Sequence, residues 1–128
     1  MKEPTIHGLF PIPLLFTNID REFTKEELNF FDEQGKTTYK NEGNITSLDN
    51  YLMKHDAMAT IHKELTGAFQ MYLDKIIVPK ENVKPYITQA WLNFTAEKQW
   101  HHKHAHPNSY LSCVMYVNAD EKKDRKST

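Results

Sequence analysis

The hydrophobic pattern changes period once along the chain, and that change limits the available folds more than any other feature. Met58, Ile61, Leu65, Phe69, Tyr72 and Ile76 recur at three- and four-residue steps, one apolar stripe that predicts a core-facing helix over 58–76. Pro79 and Pro85 bracket a charged connector, where neither helix nor ladder is favoured. Beyond it, residues 86–94 and 110–118 are rich in β-branched and aromatic side chains with period two, so both are predicted strands. Helices followed by strands make the expected class α+β, mainly β.

The upstream half supplies a second helix. In Phe23-Thr24-Lys25-Glu26-Glu27-Leu28, Thr24 and Glu27 have the spacing of a capping box, with Phe23 and Leu28 placed as a hydrophobic staple. A helix is therefore predicted from there to near Gly35, a residue suited to ending it. Before it, Gly8–Phe16 is apolar but holds Pro11 and Pro13, which suits an edge strand or an extended lead-in rather than a central strand. Residues 36–50 are rich in Thr, Asn and Gly and read as an exposed loop.

A chain of 128 residues suits one domain. Sixteen basic against 17 acidic residues leave a net charge of −1, so no global field draws the protein to nucleic acid or to a membrane. The lone Cys113 excludes an internal disulfide, and no long apolar run opens the chain; a cytoplasmic setting is the expectation.

The chemistry gathers in His101-His102-Lys103-His104-Ala105-His106-Pro107. In an extended segment alternate side chains share a face, so His102, His104 and His106 are expected on one side and His101 on the other. Imidazoles two residues apart can close on one ion with metal–nitrogen bonds of about 2.0–2.1 Å. Imidazole suits zinc, copper, iron and nickel alike, so spacing alone leaves the metal open. The bland reading is a surface histidine cluster with no function. Pro107-Asn108-Ser109 is turn chemistry, and the strand after it is predicted to carry Ser112, Val114 and Tyr116 on one face against Leu111, Cys113, Met115 and Val117 on the other. His7, His55 and His62 are the remaining histidines, needed only if zinc holds the fold together.

Trp91-Leu92-Asn93-Phe94, His104-Ala105-His106-Pro107-Asn108-Ser109 and Leu111-Ser112-Cys113-Val114-Met115-Tyr116-Val117 together resemble the central motifs of iron(II)/2-oxoglutarate-dependent oxygenases, in the His-x-His-Pro-x-Ser branch common in phages and marine bacteria. Phe10-Pro11-Ile12-Pro13 resembles that branch's opening element. The resemblance implies a double-stranded β-helix (jelly roll) with two flanking N-terminal helices. It implies iron(II) as metal and 2-oxoglutarate as cosubstrate, used to hydroxylate an unknown small-molecule or protein substrate, in the host cytoplasm if phage-encoded.

Carried over residue by residue, His104 matches the first iron histidine and His106 stands where the usual triad has a carboxylate, with His102 and His104 as the alternative frame. Tyr116, Asn93 and Ser112 match cosubstrate contacts, and Trp91 reads as a packing residue. The family's domain continues through strands that bring a distal histidine and an arginine. Residues 1–128 are thus expected to be a single, truncated oxygenase-like domain, its strand edges covered by a second copy or a partner chain. The alternative is a non-catalytic metal-binding or assembly module derived from that fold.

Overall fold

A computed structural model describes residues 12–118. Within them the order is α1 (Lys25–Gly35), β1 (Thr38–Lys40), β2 (Ile45–Ser47), α2 (Ala59–Tyr72) and β3 (Asn93–Phe94). Two 3-10 turns, Leu52–Lys54 and Asp56–Met58, lead into α2, and a π turn, Leu73–Ile77, follows it. The class is α+β, with two helices and one small antiparallel sheet of order β1-β2-β3. The first eleven and last ten residues, which include His7, Phe10-Pro11 and the charged run from Asp120, lie outside the described residues.

α1 begins as its sequence requires. Thr24 sits at the N-cap, its hydroxyl accepting from the Glu27 backbone N–H at 3.1 Å while the Glu27 carboxylate accepts from the Thr24 N–H at 2.8 Å, a closed capping box. Glu27 is nevertheless only 2% exposed, and a buried carboxylate needs a partner. Arg21 supplies it as a fork, donating to both Glu27 oxygens at 2.8 and 2.7 Å and to both Glu64 oxygens at 2.8 and 2.9 Å. One guanidinium thus ties the lead-in, α1 and α2 together.

The apolar core is small: Phe31, Met58 and Ile61 cluster, with Phe23, Phe30, Leu65 and Leu92 packed against them. Phe23 meets Phe31 edge to face at 5.7 Å between ring centroids, the geometry aromatic quadrupoles favour. Within the predicted helix, Met58 and Ile61 are fully buried, but α-helix runs only from Ala59 to Tyr72 before widening into the π turn. Val78, left-handed at φ 48°, ends it ahead of Pro79. The extended lead-in lies over this end of α2, where the Tyr72 hydroxyl donates to the Pro13 carbonyl at 3.0 Å. No helix among the described residues is long and apolar enough to cross a membrane.

Three readings of the chain need correction. Residues 36–50 are not a loop but a hairpin, β1 pairing with β2 in the register Thr38↔Ser47, Tyr39↔Thr46 and Lys40↔Ile45. Its buried positions are polar, Asn44, Thr46 and Ser47, so no apolar alternation announces it. The predicted strand over 86–94 shrinks to Asn93 and Phe94, paired with Thr46 and Ile45, plus a single parallel bridge from Ala90 to Tyr51. Residues 110–118 form no ladder among the described residues. The alternation holds in part: Met115 and Val117 pack on the core while Val114 and Tyr116 are 77% and 75% exposed, but Cys113, on the predicted inward face, is exposed. Side-chain period is local, whereas pairing needs a second strand.

The Arg21 fork holds the Glu27 carboxyl below its ordinary value; burial opposes the shift and the Thr24 N–H supports it. A depressed carboxyl pKa contributes stability that is present above the unfolded-state value of about 4.3 and is lost as pH falls through the folded-state value. Glu27→Gln is therefore expected to lower the urea midpoint at pH 7 and to flatten its decline between neutral pH and about pH 3. A parallel curve of unchanged slope would show that the pair is energetically idle.

Candidate metal centre

Two left-handed residues frame the histidine tract. Lys98 (φ 67°) sits in a turn closed by the Gln99 N–H on the Ala96 carbonyl at 3.0 Å, and Asn108 (φ 62°) in one closed by the Ser109 N–H on the His106 carbonyl at 3.2 Å. Pro107 and a left-handed Asn108 occupy the central positions of that second turn, the pairing type II turns favour. The turn predicted at 107–109 is thus present, and between the two turns the chain runs without ladder bonds.

This segment is fastened to the hairpin. Gly43, at φ 86°, accepts the Trp100 N–H at 3.2 Å, and Trp100 lies so close that a Cβ on Gly43 would stand 2.3 Å from its carbonyl oxygen and 2.8 Å from its ring. Only glycine meets both demands. The next residue, Asn44, is 3% exposed, and its Nδ2 lies 3.1 Å from His101 Nδ1 and 3.4 Å from Thr95 Oγ1.

The four imidazoles form one connected group. Ring centroids of His101 and His104 are 4.6 Å apart, of His102 and His104 5.0 Å, and of His104 and His106 4.6 Å. His101, His102 and His104 each offer a nitrogen within 4.8 Å of the others. The alternation expected of an ideal strand, with His101 turned away, does not hold, because without a ladder nothing enforces a pleat.

Hydrogen bonds fix part of the proton bookkeeping. His104 Nδ1 lies 2.8 Å from the His102 carbonyl; a carbonyl only accepts, so Nδ1 carries the proton and Nε2 keeps its lone pair. His106 Nε2 lies 2.8 Å from that Nε2, so in the neutral pair it is the donor. Two ligands at about 2.1 Å from one ion and at right angles to it stand about 3.0 Å apart, so these nitrogens are already at ligand spacing. His106 is oriented by Trp91, whose indole stacks on it at 5.4 Å with 12° between planes, giving the packing residue a purpose. His102 Nδ1 is buried and unpartnered, an unpaid polar group of the kind a bound ion relieves. Desolvation, with the neighbouring His104, His102 and His106 adding to it, lowers the His101 pKa. The donor set thus fits a divalent cation of imidazole preference, and it contains no carboxylate.

The remaining residues that the sequence nominates make no hydrogen bond to the rings among the described residues. Asn93, on β3, accepts from the Thr46 hydroxyl at 3.4 Å. Ser112 and Tyr116 are exposed and, among the described residues, take no part in the tract's hydrogen bonds. Cys113 is exposed as a residue, yet neighbours desolvate its thiol enough to raise its pKa, the opposite of an activated nucleophile. His55 is bound to Asp49 at 2.6 Å and His62 lies in α2. Asn44, Gly43 and Trp100 were not selected from sequence; the left-handed requirement at Gly43 and the polarity of Asn41-Glu42-Gly43-Asn44 were the available signals.

Residues 89–128 match the model of a family described as "Putative 2OG-Fe(II) oxygenase". The match spans about a third of the chain and contains the whole tract. That family implies iron(II) and 2-oxoglutarate, and the His101-His102-His104 group is able to bind a metal. No curated protein matches the chain, and no solved structure does.

Gly43→Ala is expected to cost on the order of 1–3 kcal/mol through its left-handed backbone, with the Trp100 clash adding to it, and to weaken metal uptake by releasing Asn44 from the tract. Urea unfolding and zinc titration of the variant test both. Unchanged zinc affinity in a destabilised variant would separate the hairpin from the site.

Proposed function

We propose that this chain carries the iron-binding part of an iron(II)/2-oxoglutarate-dependent dioxygenase that hydroxylates a small-molecule or protein substrate. The observation that carries this reading is the coincidence of the family match over 89–128 with two imidazole nitrogens 2.8 Å apart at His104 and His106. In this reading His104 and His106 hold iron. Tyr116, Ser112 and Asn93 hold 2-oxoglutarate, the hydroxyls and amide hydrogen-bonding its oxygens. When bound, iron(II) supplies the dioxygen chemistry, and the protein supplies ligation, orientation and shielding. In this reading the fold is a double-stranded β-helix, with β3 and the extended 110–118 segment among its strands. Pairing of that segment falls to a second copy or a partner chain.

One observation favours a second reading. The histidine group contains no carboxylate, whereas the facial triad of non-haem iron oxygenases uses one. An all-imidazole site suits zinc equally well, and a metal-binding or assembly module would need nothing more.

Anaerobic addition of iron(II) and then 2-oxoglutarate separates the two. The oxygenase reading expects a weak visible charge-transfer band that needs both additions and disappears in His104→Ala. Tight zinc binding with no such band would decide for the module.

A further inference from the structure

We infer that Asn44, on the hairpin between β1 and β2, is a positioning residue that presents His101 as a further metal ligand beside His104. Its amide stands within hydrogen-bonding distance of His101 Nδ1, at 3.1 Å, and is 97% removed from solvent (3% exposed). That contact occupies Nδ1, so any metal bond from His101 must come from Nε2. As placed, Asn44 Nδ2 donates to Nδ1, which puts the His101 proton on Nε2 and blocks ligation. The same placement leaves Asn44 Oδ1 buried without a donor.

A half-turn about the soft terminal torsion of the amide exchanges its two ends. Oδ1 then accepts from His101 Nδ1–H and from the Thr95 hydroxyl, 3.4 Å from the present Nδ2 position, and the Nε2 lone pair is freed. The present orientation leaves Oδ1 without a donor, and the exchange gives that oxygen two. Metal-bound histidines characteristically donate their second ring nitrogen to such an oxygen, and loss of that partner typically weakens binding about 10- to 100-fold. The His102 carbonyl already plays this part for His104, at 2.8 Å from Nδ1. Asn44 is its counterpart for His101, delivered from 57 residues upstream.

The inference needs a metal at the tract but neither 2-oxoglutarate nor turnover, so it is tested with zinc(II) and cobalt(II) alone. Asn44→Leu is expected to weaken zinc binding about 10-fold or more. Asn44→Asp, which offers only acceptor oxygens, is expected to preserve or tighten it. His101→Ala, at an exposed position, is expected to lose as much as Asn44→Leu and to change the visible spectrum of bound cobalt, and the double variant is expected to lose no more than either alone. Parent-like zinc affinity and cobalt spectrum in His101→Ala overturn the inference, as do additive losses in the double variant. Should Asn44→Leu fail to fold, His101→Ala and Asn44→Asp still decide. If His106→Ala abolishes binding while His101→Ala does not, the His104–His106 pair stands and the role of Asn44 falls.

Discussion

The contact on which the site depends is the close approach of the Trp100 backbone to Gly43. A hydrogen bond of 3.2 Å with no room for a Cβ pins a stretch of chain that has no ladder of its own. Without that bond the tract would be held by its two flanking turns and by side-chain contacts alone, and loops so held carry large conformational entropy. With it, the hairpin becomes a rigid edge against which His101 is placed. The hairpin is itself held by β3 and by the Ser47 hydroxyl, which accepts the Leu92 N–H at 3.0 Å and donates to the Asp49 carbonyl at 2.9 Å. The site's geometry therefore traces back through polar contacts in a small sheet, not through the apolar core.

That dependence explains what the sequence disclosed and what it concealed. Where side chains interact over three or four residues, the reading held: the Thr24–Glu27 box caps α1, and Met58 and Ile61 are the fully buried head of the predicted stripe. The hairpin leaves no sequence signal because its strands are three residues long and bury Thr46 and Ser47 rather than apolar side chains. The segment 110–118 shows the converse. From Val114 to Val117 its faces follow the alternation, yet a face does not specify a neighbour. Arg21 is a third case: nothing local in Asp20-Arg21-Glu22 says that its fork reaches Glu64, 43 residues away.

The histidine site divides along the same line. Spacing alone puts His102, His104 and His106 together, and the turn residues Pro107-Asn108-Ser109 with the family resemblance favour His104 and His106; that contact and the turn after it are legible because both are local. His101 was assigned to the opposite face by strand parity, an assumption that fails when no partner strand imposes a pleat. His101 instead contacts Asn44, 57 residues upstream, a contact no spacing rule could supply. The matched family covers the tract but not the hairpin, so resemblance and parity shared one blind spot.

Proton bookkeeping orders the ligands. On the proposed assignment His104 is the anchor, since the His102 carbonyl at 2.8 Å can only accept and so keeps the proton on Nδ1 and the lone pair on Nε2. His106 must move its proton from Nε2 to Nδ1 before it can join the same ion, and the parallel indole of Trp91 holds its plane without fixing which nitrogen bears that proton. His101 waits on the amide of Asn44. On the proposed assignment, a cation at the tract meets the His104 Nε2 lone pair already free, whereas His106 and His101 each reach it only after a tautomer change, and the buried, unpartnered His102 Nδ1 lies in the same group.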